Sequence, residues 1–164
     1  MVMGEGSPID IKVDGQTLEC VEQFVYLGSL VTKDNDCSKE IRRRIALAAG
    51  TFGTLTTIWK SGNISTNTKL MLFESCVLSV LMYASETWTL KKDDRNRLNA
   101  FQMKCYRKML GVKWQDKVKN EDIRKKLNKL RTISEKVVDK KMELFGHICR
   151  MRDVRQTDKT CIVC

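Results

Sequence analysis

The 164-residue sequence contains a single proline, at position 8, and lacks the segments that would send a chain into or across a membrane. Its longest apolar stretch, CVLSVLMYAS, covers about ten residues, whereas a membrane-spanning helix needs about twenty. The N-terminus, MVMGEGSPID, has neither the basic nor the apolar region of a secretory signal. These absences predict a protein of the cytoplasm or the nucleus that is neither secreted nor membrane-spanning and has no membrane partner.

Catalytic fingerprints are also missing. The sequence has no hydrolase, kinase or dinucleotide-binding motif. Asp93-Asp94 is the acidic pair that most resembles a two-metal site, but it follows Lys91-Lys92 in the first turn of a predicted helix. Acids at that position complement the helix dipole, and this structural interpretation is the stronger one. We therefore expect no catalytic residue, no cofactor and no metal.

The seven cysteines are an odd number and predict reduced thiols (positions 20, 37, 76, 105, 149, 161 and 164). His147, Cys149, Cys161 and Cys164 follow an order found in zinc sites. However, residues two apart on a helix point to different faces, so the pattern does not favour zinc. The terminal CIVC also resembles a prenylation signal, but cysteine is not a typical last residue of that motif.

Charge is distributed unevenly along the chain. The formal net charge is +10, yet residues 1–40 contain three lysines and eight acids. Residues 91–152 contain twenty Lys or Arg and eight acids, a net charge of +12. Such asymmetry favours a polyanionic partner for the C-terminal half, with solvated helix faces as the alternative.

Periodicity predicts an α+β fold that is predominantly α. Residues 9–32 alternate like strands, Asp14-Gly15 is a hairpin signal, and Gly28 indicates a bulge or bend. Helical spacing begins after a cap at Asp36 or Ser38. A small N-terminal β-hairpin followed by a bundle of four to five helices is therefore expected.

The helix limits follow from caps and stops. The first predicted helix continues through Trp59 and ends at 61–63, and the second begins after Ser65 and extends to Trp88. The third covers about 90–110 and stops at Gly111, and a short helix begins at Asn120. Thr132 and Glu135 form a capping box for the last helix, which ends near Met151.

Basic residues on outward helix faces are the candidate phosphate contacts, since they bind the backbone with little sequence readout. On the first helix they are Lys39, Arg42, Arg43 and Arg44, and on the third they are Arg95, Arg97, Lys104, Arg107 and Lys108. Tyr106 and Trp114 lie among these cations. Stacking on bases is possible for such aromatics, but packing is the favoured interpretation.

Several motifs in order resemble one family. FVYLGSLVT, CSKEIRRRIALAAGTFGTL, VLSVLMYASETWTL, FQMKCYRKMLGVKWQDKVKNEDI and LFGHICRM look like the region after the palm in reverse transcriptases of non-LTR retrotransposons, over roughly residues 9–152. The resemblance implies that Tyr26, Leu27 and Gly28 form a primer grip. It implies that the helices behind them form a thumb that holds a template–primer duplex. Gly28 would let backbone approach the nucleic acid closely.

The family's catalytic aromatic-x-Asp-Asp turn is absent from this sequence, and its position would lie upstream of residue 1. We therefore expect a non-catalytic piece that binds RNA or DNA, as a template–primer-like duplex, with low sequence specificity. Its parts would be a palm-end hairpin at 1–35, a three-helix thumb-like bundle at 36–112 and a basic helical extension with a disordered tail at 113–164. Two alternatives stay open: a host-retained helical module that binds a protein, and a retroelement relic with no selected function.

Overall fold

The computed structural model describes residues 12–13, 16–17, 21–129 and 131–151, except for the side chains of Val13, Thr17 and Trp114. The strands are β1 (Lys12–Val13), β2 (Gln16–Thr17), β3 (Gln23–Tyr26) and β4 (Ser29–Thr32). The helices are α1 (Ser38–Thr54), α2 (Thr56–Lys60), α3 (Thr66–Leu72), α4 (Ser79–Leu81), α5 (Lys92–Leu110), α6 (Asn120–Lys126) and α7 (Ile133–Arg150). The predicted class, mostly helical with a small N-terminal hairpin, is confirmed.

Two antiparallel strand pairs precede the helices. β1 pairs with β2, as the Asp14-Gly15 signal predicts, although those two residues lie outside the described part of the chain. β3 pairs with β4, and Tyr26 faces Ser29 across a two-residue turn. Leu27 and Gly28 form that turn, with φ of 45° and 80°. Gly28 therefore marks the turn of a hairpin, which is the bend and not the bulge of the two predicted alternatives.

The first predicted helix is divided at Leu55, where ψ changes to 19°. The cause is the Trp59 indole, whose Nε1 donates to the Phe52 carbonyl at 2.7 Å and so takes an acceptor of the helical ladder. The two rings stack with centroids 4.8 Å apart. This buried pair fixes the direction in which α2 leaves α1.

The second predicted helix is shorter than its apolar stripe suggests. Ser65 caps α3 as predicted, by accepting from the Thr68 N–H at 3.1 Å. A π-helical turn over Phe73–Leu78 connects α3 to α4, and the helix ends at Leu81, seven residues before Trp88. Ala84, in the left-handed region at φ 55°, stops it and starts a 3-10 turn over Ser85–Thr87.

One hydrophobic core joins these elements. Phe73, Val77, Leu81 and Leu98 are fully buried at its centre. Residues from the C-terminal part belong to the same core, namely Ile123, Leu127, Ile133 and Val137. α7 packs on α5 and on the 85–87 turn. The packing is therefore continuous across residue 112, where the sequence predicts a domain boundary.

The remaining helix limits follow the predicted signals. Gly111 ends α5 in the left-handed region at φ 67°, and α6 begins at Asn120. Thr132 and Glu135 form the predicted capping box of α7. In the part of the chain that the structure describes, no helix is long and apolar enough to cross a bilayer.

Candidate nucleic-acid interface

The predicted phosphate contacts of α1 and α5 do not form one surface. Successive residues of an α-helix are rotated by about 100° around its axis, so Arg42 lies on one side of α1 and Glu40 and Arg44 lie on the opposite side. The Arg42 side faces α5 across a groove, and the other side faces the β3–β4 hairpin. Each side is therefore a separate candidate.

The groove between α1 and α5 has a volume of about 540 Å³ and a basic rim. Arg42 stands on α1, and Arg97, Lys104 and Lys108 stand on α5 at spacings of seven and four, which keeps them on one face. The floor is small or apolar, and it includes Ile45, Ala49, Phe52, Gly53, Ala100, Phe101 and Cys105. None of the lining residues, all in the described part of the chain, is acidic. We call this rim and floor the basic groove.

The four cations of the basic groove are not equivalent. Arg42, Lys104 and Lys108 are exposed, and none has a carboxylate partner among the described residues. Arg97 donates from Nη1 to the Asp94 carboxylate at 2.9 Å, so part of its charge is already compensated. Among the described residues, the uncompensated positive charge of the groove is therefore mainly that of Arg42, Lys104 and Lys108.

Of the five other predicted helix cations, Lys39, Arg95 and Arg107 lie away from both the basic groove and the tip of the hairpin. Lys39 is exposed, but it borders a shallow depression together with Glu22, Lys33 and Asp34. Arg95 lies on the face of α5 opposite the basic groove. Arg107 is half-buried and donates to the Val118 carbonyl at 2.8 Å and to Asn120 Oδ1 at 3.0 Å. Arg107 thus fixes the loop that follows α5.

Arg43 and Arg44 hold the hairpin. Arg44 is only 7% exposed, and its Nε donates to Glu40 Oε1 at 2.6 Å. Arg43 Nε donates to Glu40 Oε2 at 2.8 Å, and the Nη2 of both arginines donates to the Gly28 carbonyl. Because these contacts use the Arg44 guanidinium inside the protein, we remove Arg44 from the set of candidate phosphate contacts.

Glu40 and Tyr83 also form hydrogen bonds with the hairpin, and the sequence motifs single out neither residue. Glu40 is 2% exposed and accepts the Leu30 N–H at 3.1 Å in addition to both arginines. The Tyr83 hydroxyl donates to the Leu27 carbonyl at 2.7 Å, and the Arg44 guanidinium lies 4.4 Å from the Tyr83 ring centroid. The sequence contains a signal for these ion pairs, because an acid and an arginine three or four residues apart on a helix can pair, as Glu40 does with Arg43 and Arg44.

The tip of the hairpin is exposed on its other side. Tyr26 is 61% and Leu27 76% exposed, while the carbonyls of Leu27 and Gly28 are already paired with Tyr83 and the two arginines. A Cβ added to Gly28 would be 3.8 Å from the Tyr83 ring, an ordinary contact. The requirement for glycine therefore comes from the positive φ of the turn.

Of the residues considered for other chemistry, Asp94 and Tyr106 have structural roles. Asp94 is fully buried and accepts from the Ser38 hydroxyl at 2.8 Å, so it joins α5 to the start of α1. Tyr106 is 1% exposed and packs edge-on against Phe73, which confirms the packing interpretation for this residue; the Trp114 side chain lies outside the described part of the chain. His147 and Cys149 are exposed on α7, and Cys161 and Cys164 lie outside the described residues. Within the described ranges, no cluster of His, Cys, Asp or Glu is suited to a metal ion.

Comparison with known proteins gives partial matches to a family model and to a curated protein. Residues 51–83 match a family model described as "Domain of unknown function (DUF6451)", a segment that includes α2, α3 and the π-helical turn. The chain is 29% identical over 153 residues to the "Putative uncharacterized transposon-derived protein F52C9.6" of Caenorhabditis elegans. The match covers 85% of this chain and 51% of that protein, so the chain spans about half the length of this curated relative. No solved structure matches the chain. The relative supports a transposon-derived origin.

Proposed function

We propose that the chain derives from the region after the palm of a non-LTR retrotransposon reverse transcriptase and that it binds the phosphate backbone of RNA or DNA in the basic groove. The supporting observation is the convergence of Arg42, Lys104 and Lys108 on one groove that has no acid in its lining. Exposed Lys and Arg side chains neutralise phosphates and release counterions whatever the sequence of the bases. The groove therefore binds nucleic acid with low sequence specificity.

The groove has a length that suits a nucleic-acid backbone. From Arg97 to Lys108 is eleven residues of α5, about 16 Å at a rise of about 1.5 Å per residue. Along one strand of duplex DNA the charges are about 3.4 Å apart along the axis, so this length covers about five phosphates. The buried aromatics of the floor, Phe52 at 6% and Phe101 at 8% exposed, are too covered to stack on bases. Binding through phosphates is thus favoured over reading of bases.

Three substitutions test the groove without disturbing the core. Arg42→Ala, Lys104→Ala and Lys108→Ala together remove three exposed cations. The matched control replaces Lys92, Lys125 and Lys126 by alanine; all three are exposed outside the basic groove, so the change in net charge is the same. Fluorescence anisotropy with a labelled 20-base-pair duplex should show at least a tenfold loss of affinity for the groove variant and a much smaller loss for the control. Equal losses would mean that overall charge, and not this groove, binds the duplex.

We propose that the chain has no polymerase activity of its own, because two-metal phosphoryl transfer needs carboxylates that converge on one point. Its adjacent acids do not provide them: Asp94 is buried and bonded to Ser38 and Arg97. Primer extension by the purified protein with a recessed-end duplex, nucleotides and Mg²⁺ should give no product. Product formation would contradict the proposal.

The exposed hairpin tip is a second, weaker candidate contact, as a primer grip. Because it lies on the side of α1 away from the basic groove, one short duplex in the groove does not reach it. Tyr26→Ala should therefore leave affinity for a blunt 20-base-pair duplex within about twofold, since its side chain carries no charge for phosphates. A Tyr26→Ala protein that loses recessed-end binding alone would support a grip that acts independently of the groove.

A further inference from the structure

A cavity apart from the basic groove lies between the β3–β4 hairpin, the start of α1 and the segment 83–88. Its volume is about 760 Å³, and Lys140 of α7 also stands on its wall. We call it the hairpin cavity. It shares no lining residue with the basic groove. Its volume is within the range of sites that hold a small molecule.

Apolar and aromatic side chains form much of the wall of the hairpin cavity. Leu30 and Val31 of β4 are half-buried there, and Tyr83 and Trp88 line the cavity from the segment 83–88. Tyr83 is 47% exposed although its hydroxyl is bonded to the Leu27 carbonyl, so part of its ring is open to a ligand. A ligand that fills this cavity therefore needs an apolar body.

Four charged side chains also line the hairpin cavity, and two of them already have partners. Asp36 pairs with Lys91 at 3.0 Å. Glu40 pairs with Arg43 and Arg44, as described above. These two carboxylates are therefore compensated inside the protein.

The other two, Glu86 and Lys140, have opposite charges and no charged partner in the part of the chain that the structure describes. Glu86 is half-buried, and its carboxylate accepts no hydrogen bond from a described residue. Lys140 donates from Nζ to the Met82 carbonyl at 3.3 Å, which uses one of the three N–H groups of an ammonium ion. The two side chains do not pair with each other, so each is able to bind an opposite charge on a ligand.

We propose that the hairpin cavity binds a small zwitterion with an apolar body, namely an apolar amino acid or a short peptide with free ends. The ammonium group of the ligand pairs with the Glu86 carboxylate, and its carboxylate pairs with the Lys140 ammonium. Its apolar side chain lies against Leu30, Val31 and Tyr83. Hydrogen bonds between charged groups are about twice as strong as neutral ones, so the two ends of the ligand fix its orientation.

The two uncompensated charges disfavour other classes of ligand. An anion would pair with Lys140 but be repelled by Glu86, and the reverse holds for a cation. A neutral ligand would cover the Glu86 carboxylate further without giving it a partner. Nucleic acid is disfavoured as well, since three of the four charged lining residues are acids. The hairpin cavity is thus a site of a different kind from the basic groove.

Ligands with blocked ends test the two contacts. Leucyl-leucine, titrated into ¹⁵N-labelled protein, should shift the indole N–H signal of Trp88 and saturate with a dissociation constant on the order of 0.1–1 mM. N-acetyl-leucyl-leucine lacks the ammonium group and leucyl-leucine amide lacks the carboxylate, so each should bind at least about fivefold more weakly. No shift with 10 mM leucyl-leucine, or equal binding of the blocked ligands, would overturn the proposal.

Substitutions assign each end of the ligand to its partner. Glu86→Gln should weaken leucyl-leucine binding at least about fivefold and leave the binding of the N-acetyl ligand unchanged. Lys140→Gln should do the same for leucyl-leucine and for the amide, respectively. Glu143→Gln and Lys141→Gln are the matched controls, exposed on α7 outside the cavity, and should bind leucyl-leucine like the wild type. Equal losses in the controls and the cavity variants would contradict the proposed contacts.

Two further comparisons define the ligand and separate the two sites. Free leucine that binds as tightly as leucyl-leucine would assign the site to a single amino acid, and weaker binding would assign it to a peptide. The variant with Arg42→Ala, Lys104→Ala and Lys108→Ala should bind leucyl-leucine like the wild type, because the cavity and the basic groove share no lining residue. Failure of nucleic-acid binding therefore leaves this proposal standing, and the reverse is also true.

Discussion

The substitution Glu40→Ala tests how the hairpin is attached to the helices. It removes the acceptor for the Leu30 N–H and for the Nε groups of Arg43 and Arg44. Arg43, whose side chain is 33% exposed, is able to turn towards water, but Arg44 at 8% is not. Removing one partner of a buried ion pair costs about 3–5 kcal/mol, because the remaining charge stays buried. We expect about 3 kcal/mol here, since Arg44 retains its bond to the Gly28 carbonyl and its contact with Tyr83.

Urea denaturation measures this change as a loss in the free energy of unfolding, and a melting curve should shift down by about 6–12 °C for a chain of this size. Glu40→Gln keeps an acceptor and should fall between wild type and Glu40→Ala. Glu143→Ala, at an exposed position on α7, serves as the control and should change stability by less than about 0.5 kcal/mol. A Glu40→Ala protein within about 1 kcal/mol of the wild type would refute the view that Glu40 holds the hairpin through buried charges.

Gly28→Ala should destabilise the protein by about 1–2 kcal/mol in the same assay, because the turn holds Gly28 at φ 80°; no loss would mean that the turn adopts another conformation. The pKa of Asp36 should be about 2 by NMR titration, since it accepts a backbone N–H at the start of α1 and pairs with Lys91. Because folding lowers this pKa, the contribution of Asp36 to stability is complete above about pH 4 and is lost as the pH falls towards 2. Lys91→Ala should raise the pKa of Asp36 only in part, since the backbone N–H remains. A pKa near 4 in the wild type would contradict the hydrogen bond and the ion pair of Asp36. Burial raises the pKa of the Cys105 thiol to about 12. Iodoacetamide at pH 8 should therefore modify the exposed Cys149 and spare Cys105. Rapid modification of Cys105 would show that the core opens at this residue.

Local signals in the sequence predict much of the fold. Ser65, Gly111, Asn120 and the Thr132–Glu135 capping box each set a helix limit that the structure confirms. These signals act within one turn of chain, so a single sequence contains all the information that they need.

The errors arise where a tertiary contact competes with helical spacing. Leu55 and Trp59 continue the apolar stripe of α1, but the bond from the Trp59 indole to the Phe52 carbonyl divides the helix. Trp88 has the right spacing for a longer second helix, yet the chain turns at Ala84 and buries Trp88 from another direction. Such contacts depend on how the elements pack, and the helical spacing of apolar residues in the sequence does not predict them.

In the candidate site too, local features can be predicted from the sequence and distant contacts cannot. Sequence identifies the cations, and helical geometry explains why Lys104 and Lys108 share a face. It does not show that Arg44 is used inside the protein, because its partner at Gly28 is sixteen residues away. Nor does it show that the groove and the hairpin tip lie on opposite sides of α1.

The salt dependence of duplex binding tests the central claim most directly. If Arg42, Lys104 and Lys108 each neutralise one phosphate, they contribute about −2.7 to the slope of log affinity against log salt on duplex DNA, at about −0.9 per contact. Measured between 50 and 200 mM NaCl, the triple alanine variant should therefore have a slope flatter than the wild type by about 2.7. The control with Lys92, Lys125 and Lys126 changed to alanine should keep most of the wild-type slope. A groove variant whose slope equals that of the control would contradict phosphate binding in the basic groove.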